Sequence, residues 1–221
     1  MVTKTDKGYR GLPMEGLIAS WYAKTTAKDM ARHHGTAREL AELIPAGSRV
    51  LEIAPGPGYF AIELARLGEY DITGLDISET FVEIARKNAE KAGVLVDFRL
   101  GNASDMPFED ESFDWIICQA AFKNFSQPVQ AIAEMYRVLR PNGTALIIDL
   151  RREASPEDIE RGVQEMNVGP VNRFIVRWTF NHMLLKRAYT GDEIKAFAAQ
   201  TPFKTCRIEN DWIGFRAWFH K

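Results

Sequence analysis

Val50-Leu51-Glu52-Ile53-Ala54-Pro55-Gly56-Pro57-Gly58-Tyr59-Phe60 decides how the chain is read. A short apolar run carrying an acid passes through a tight Gly/Pro turn and opens onto an apolar-periodic stretch. This is the pattern of a strand, a glycine loop and a helix. Such a unit lets a nucleotide approach the backbone, because glycine lacks a Cβ and tolerates unusual φ. The next apolar stretch, Ile72-Thr73-Gly74-Leu75-Asp76, ends about twenty residues beyond Gly56. A carboxylate there can accept both hydroxyls of a ribose. Gly56-x-Gly58-x-x-Ala61 alone is a common string; the flanking strand, the helix and Asp76 supply its context.

From this unit outward the chain alternates strand and helix. The first helix runs to Leu67 and stops at Gly68. A second strand over Tyr70 to Ile77 leads to Ser78, which caps a helix with Phe81, Ile84, Ala85, Asn88 and Ala92 on one face, closed by Gly93. Strand three covers Leu95 to Leu100. Strand four, Phe113 to Gln119, is continuously apolar, as a strand covered on both faces should be. Pro128 opens a helix that Pro141-Asn142-Gly143 stops, and strand five covers Thr144 to Leu150. Five strands with helical crossovers predict an α/β fold, a doubly wound Rossmann-like sheet.

Upstream, Met14 to Tyr22 and Ala27 to Leu43 read as helices. Downstream, an extra element runs from Ser155 to about Tyr189, Thr190-Gly191-Asp192-Glu193 matches a capping box, and two strands, Phe203 to Glu209 and Trp212 to Phe219, flank Asn210-Asp211 as an antiparallel hairpin. The organisation expected is a single unit over 1–221. It divides into a helical cap (1–47), a cofactor-binding core (48–150), an inserted helical lid (151–190), and a last helix with a terminal hairpin (191–221).

The bulk numbers narrow the partners. Apolar content of 46%, charged content of 26% and net charge −2 suit a globular protein with a small-molecule substrate and no nucleic acid. Cys118 and Cys206 lie in apolar runs without metal-ligand spacing, so buried free thiols and no metal site are expected. The first residues lack a signal-peptide core and no run of eighteen apolar residues occurs. The location expected is therefore cytoplasmic, with no membrane span; a homodimer stays open.

Two chemistries compete for the glycine loop. A pyridine dinucleotide needs N–H groups aimed at its pyrophosphate, and Pro57 removes one of them. No tyrosine has a lysine four residues on, as a short-chain dehydrogenase would require.

Here the chain resembles the class I S-adenosylmethionine-dependent methyltransferases, in the small-molecule branch that includes ubiquinone-methylase-like enzymes. Glu52-Ile53-Ala54-Pro55-Gly56-Pro57-Gly58 is similar to that family's first motif and Gly74-Leu75-Asp76-Ile77-Ser78 to its second. Gly101-Asn102-Ala103 with Met106-Pro107-Phe108 and Ser112-Phe113-Asp114 is similar to the third. Arg137 to Gly143 matches the turn before strand five. The resemblance implies S-adenosyl-L-methionine as cofactor and strand order 3-2-1-4-5-7-6, mostly parallel with the terminal hairpin antiparallel. It also implies a cofactor site of Glu52, Ala54, Gly56, Gly58, Asp76, Ile77, Asn102, Ala103 and Gln119.

The departures are specific. Ala54 stands where the family has glycine, and Asn102 where aspartate is commoner. Lys123-Asn124 replaces a His pair, and Gln119-Ala120-Ala121-Phe122 replaces the signature of nucleic-acid amino methylases.

The activity implied is methyl transfer to a small molecule. In-line positioning can supply roughly 7–11 kcal/mol of such a barrier, which makes a general base optional. Candidates near the acceptor are Tyr22, His34 (adjacent to His33, with at most one of the two expected to point inward), Lys123 and His182. A cofactor-binding protein without turnover and an NAD(P)-dependent oxidoreductase are the alternatives.

Overall fold

A computed structural model describes residues 8–10, 14–26, 30–165 and 184–221. Helices α1 (Gly16–Thr26) and α2 (Met30–Ala41) precede an alternation of β1 (Arg49–Ile53), α3 (Tyr59–Leu67), β2 (Asp71–Asp76), α4 (Glu79–Ala92) and β3 (Asp97–Leu100). Then come β4 (Phe113–Gln119), a 3-10 turn (Phe122–Asn124), α5 (Pro128–Val138), β5 (Leu139–Leu150) and α6 (Pro156–Glu165). A second 3-10 turn (Leu185–Arg187), α7 (Gly191–Ala199), β6 (Arg207–Asn210) and β7 (Gly214–His220) follow. The strands form one seven-stranded sheet in the order β3-β2-β1-β4-β5-β7-β6. All neighbours are parallel except β5–β7 and β7–β6, so the order and hairpin implied by the resemblance are those of the molecule.

Period-2 alternation explains why both faces are buried. Leu51 and Ile53, Ile116 and Cys118, Ala145 and Ile147, and Phe215, Ala217 and Phe219 enter a core shared with α5 and α7. Val50, Ile117, Leu146 and Trp218 enter the opposite core, under α2, α3 and α4. By the same alternation Glu52 points to the α3 side. Cys118 is buried, its thiol pushed well above the usual range by that burial; Cys206 is half-buried, and both are free.

Of the boundaries that differ from the sequence reading, three concern strands β5, β6 and β3. Strand five begins at Leu139, because Pro141-Asn142-Gly143 forms a bulge inside the ladder. Phe113 pairs with Leu139 and Trp115 with Thr144, while Asn142 takes a left-handed φ of 66°. Phe203 is core rather than strand: Lys204 turns the chain at φ 63°, and β6 starts only at Arg207. Strand three is shortened to Asp97–Leu100, with Leu95 exposed. The stretch 166–183 lies outside the described residues, and with it His182 and nearly half of the expected lid.

Two glycines are explained by one ring. A Cβ at Gly74 would lie 2.5 Å from Phe98 Cδ1, and one at Gly58 2.7 Å from Phe98 Cζ. Phe98 is fully buried between them and has no room to withdraw. Gly74→Ala is expected to cost about 1–3 kcal/mol by overpacking, read as a lower urea midpoint. In the double variant Gly74→Ala/Phe98→Leu part of that loss should return, a coupling that independent sites would not show.

Candidate active site

The carboxyl ends of β1, β2, β4 and β5 open on one edge of the sheet, where ligands of open α/β folds bind. The first turn of α3 begins there. Its N-cap, Gly58, has φ 79° and offers no side chain. The missing acceptor comes from the strand: Glu52 Oε2 accepts from the backbone N–H of Ala61, at 3.1 Å. The α3 N-terminus is thus already met by an acid. Glu52 is buried, and desolvation pushes its pKa up to about 8; the Asp76 charge adds to the shift and the Ala61 N–H opposes it.

Asp76 joins the two sides of the loop. Its Oδ2 accepts from Gly56 N–H at 2.9 Å and its Oδ1 from Ser78 N–H at 2.9 Å. Burial raises its pKa to about 6 against those hydrogen bonds. Ser78 Oγ caps α4 by accepting from Phe81 N–H, and donates to the Met14 carbonyl at 2.6 Å. Glu15 accepts from the N–H groups of Glu79 and Thr80. Burial pushes the Glu15 carboxyl up, but these bonds and the Thr80 hydroxyl outweigh it and hold the pKa below the usual value. Both helix starts at the crevice therefore already carry protein carboxylates.

The glycines of the loop divide their work. A Cβ on Gly56 would meet nothing within 4 Å, whereas Gly58 is pressed on Phe98 and Ala85. Gly56 faces open space, and Gly58 lets the helix close onto the sheet. Ala54 holds φ 55°. The position where the family has glycine thus keeps the glycine-like backbone, at a cost of order 1 kcal/mol.

Beyond β3, Asn102 Oδ1 accepts from Ser104 N–H at 2.9 Å, which leaves its amide NH2 and one oxygen lone pair for a ligand. Ala103 packs on the core and Ile77 is partly exposed. The segment Gly8–Arg10 crosses this edge: Ser126 N–H donates to the Gly8 carbonyl and Arg10 N–H to the Asn124 carbonyl. A Cβ on Gly8 would lie 2.4 Å from Ile77 Cδ1 and 2.9 Å from Asn102 Nδ2.

At the ends of β4 and β5, Lys123 is engaged rather than free. Its Nζ lies 2.9 Å from Asp149 Oδ1 and also donates to the Ala120 carbonyl, while its backbone N–H donates to Asp149 Oδ2 at 2.9 Å. Both side chains are buried. The pair holds the turn at Ala120, whose φ is 55°. Among the described residues, two buried side-chain polar atoms lack a hydrogen-bond partner, Gln119 Nε2 and Tyr189 Oη, and both lie at this end of the sheet. The sequence reading missed Tyr189 and Asp149.

The other candidates sit elsewhere. Tyr22 packs edge-on against Phe81 of α4, with ring centroids 5.8 Å apart. His34, itself exposed, has its Nδ1 2.9 Å from Oε2 of the buried Glu63 of α3. His33 stacks at 5.7 Å on Tyr59. Both histidines meet α3, one turn apart, because that helix spans the α2 face.

The described residues contain no cluster of three His, Cys, Asp or Glu suited to a metal. They do fit an adenosyl cofactor, on three observations: the open space over Gly56, the Asp76 carboxylate at the end of β2, and the unsatisfied Gln119 donor.

Residues 51–147 match the family model of a methyltransferase domain. A demethylmenaquinone methyltransferase of Deinococcus radiodurans is 33% identical over 156 residues, 69% of this chain and 65% of its own length. The chain thus spans just under two thirds of that relative. An O-methyltransferase of Aspergillus nomiae is 31% identical over 175 residues, 76% of this chain and 70% of its own. The structure of a Methanococcus maripaludis protein provisionally assigned as an S-adenosylmethionine-dependent methyltransferase shares the fold. Its TM-score is 0.72 at 20% identity, covering 96% of this chain and 95% of that one. By glycine loop, sheet order and relatives together, the chain belongs to the class I S-adenosylmethionine-dependent methyltransferases.

Proposed function

We propose that the chain transfers the methyl group of S-adenosylmethionine to a small-molecule acceptor. The observation that carries this reading is the occupation of the α3 N-terminus by Glu52. A diphosphate needs that helix start and its N–H groups, and would meet a buried carboxylate instead. A sulfonium with an ammonium group is complemented by the same carboxylate and by Asp76. The relatives described as demethylmenaquinone methyltransferase and O-methyltransferase support a small organic acceptor.

When bound, the cofactor supplies a methyl group on an already activated sulfur. The chain's own residues then have three tasks. Asp76 holds the loop, and with lone pairs left over it can take ribose hydroxyls. Glu52 neutralises positive charge, while Asn102, Ala103 and Ile77 line the base side. We read 1–47 as a cap, 48–150 as the cofactor-binding core, 151–190 as an insert beside the acceptor, and 191–221 as the closing helix and hairpin. The cap is supported by Tyr59 Oη donating to the Ala23 carbonyl at 2.8 Å and by the Ser78–Met14 contact. No described helix is long and apolar enough to cross a membrane.

The direct test is S-adenosylhomocysteine release on incubation with S-adenosylmethionine and a panel of hydroxylated aromatic acceptors. A protein that binds the cofactor but never turns it over would be a silent binding partner. One stabilised by NADPH alone would remove the reading altogether.

Two further outcomes are expected. Asp76→Asn should weaken S-adenosylhomocysteine binding by calorimetry by about 1.5–3 kcal/mol, the scale of hydrogen bonds to a charged acceptor. Unchanged affinity would take Asp76 out of the site. For Glu52, the folded chain keeps to about pH 8 a proton that it would ordinarily release near 4.5. Across that window the unfolded state binds fewer protons, so stability falls as pH rises and levels off above it. Glu52→Gln keeps an oxygen for the Ala61 N–H and removes the titration. Its melting temperature should match the parent's at the acid end of the window and exceed it above pH 8, by a few kcal/mol in stability. Because a cationic ligand favours the ionised carboxyl, cofactor binding near pH 7 should release protons, measurable by calorimetry in buffers of differing ionisation enthalpy. A proton count of zero would contradict this account.

A further inference from the structure

Tyr189 is buried in the core cluster of the α5–α7 side, and among the described residues its hydroxyl has no hydrogen-bond partner. A buried hydroxyl left unmade costs free energy that a phenylalanine would not, so the group calls for a ligand. Its place is specific. Tyr189 bridges to Arg151, the residue just beyond β5, and its carbonyl accepts from Arg152 N–H. It therefore stands at the carboxyl end of the sheet, next to the strand that carries Asp149.

Its ring is set by Phe122 at 5.8 Å and Phe197 at 5.1 Å, and the Arg10 guanidinium lies over it at 5.7 Å. The nearby polar groups are committed. Lys123 and Asp149 satisfy each other, and Glu193 is taken up by Thr190 and Arg152. The phenol itself stays neutral, because burial pushes its pKa up. What is left among the described residues is a neutral O–H donor on a ring packed between Phe122 and Phe197, with Arg10 over it.

The geometry points to Tyr189 as the residue that orients the methyl acceptor, by donating a hydrogen bond to an oxygen of a hydroxylated aromatic ring. This rests on the methyltransferase reading and names the acceptor class within it. It is a positioning role, since the proton stays on Tyr189. Arg10, held over the ring by the Gly8–Arg10 segment, adds a positive field suited to an acceptor oxygen that carries negative charge.

The experiment uses the full chain saturated with S-adenosylhomocysteine, with 1,4-naphthalenediol as probe, followed by calorimetry. Tyr189→Phe is expected to weaken the diol about three- to tenfold, the scale of one neutral hydrogen bond. The dissociation constant of S-adenosylhomocysteine should stay unchanged and the melting temperature should hold or rise. Unchanged diol affinity in the variant overturns the assignment. A lower melting temperature also overturns it, because it would show a structural hydroxyl. Failure of the parent chain to bind the diol while it still binds S-adenosylhomocysteine overturns the acceptor class and spares the methyltransferase reading. Failure to bind S-adenosylhomocysteine would instead sink that reading.

Discussion

The cofactor edge depends on a carboxylate from the first strand capping the helix that follows it. Glycine at the N-cap of α3 cannot supply an acceptor, and Glu52 reaches under the loop to the third residue of the helix. This places an acid where other nucleotide folds keep a vacancy for phosphate. Burial makes its ionised form costly, as the raised pKa of Glu52 records. A cationic ligand relieves the cost and an anionic one would deepen it. Sign selectivity is thus set before any ligand contact is considered.

Asp76 extends the same logic sideways. It ties the glycine loop to the start of α4 through Gly56 and Ser78, and Ser78 in turn holds the chain at Met14. Loop, helix start and N-terminal segment therefore meet at one carboxylate. The Asp76 charge raises the pKa of Glu52, and Glu15 in turn raises that of Asp76. The repulsion between Glu52 and Asp76 is tolerable while one is protonated, and a cation between them would let both ionise. Protonation state and cofactor occupancy are linked by this pair.

What was legible in the sequence was what neighbours in the chain decide. Strand alternation, the glycine turn, the Ser78 and Thr190 caps and the crossover rhythm are local, and each is found in the fold. Long-range partners were not legible. Lys123 is an exposed loop lysine by its neighbours, and only the arrival of Asp149 from the next strand buries it. Gly58 looks like a ligand-facing glycine until Phe98 is brought against it from β3. Tyr189 follows a stretch where the rhythm breaks, so nothing periodic marked it. The β5 bulge was hidden because Pro141-Asn142-Gly143 spells a stop, and only the ladder with β4 shows the strand passing through.

These cases share a rule about which buried groups recognise a ligand. A buried ion pair such as Lys123–Asp149, held by backbone hydrogen bonds on both partners, has spent its capacity on the fold. Breaking it to grip a substrate would expose an uncompensated charge, typically about 3–5 kcal/mol. Lys123 is therefore better understood as the brace that sets the left-handed turn at Ala120 than as a base. Recognition falls to donors the fold leaves unmet, Gln119 Nε2 at the end of β4 and Tyr189 Oη beyond β5. Their separation follows from strand alternation. Gln119 shares the parity of Ile117, on the side of Glu52, and Tyr189 belongs to the opposite core. In the function proposed above, one donor would serve the cofactor side and the other the acceptor side. A reaction governed by alignment needs that division more than it needs a base.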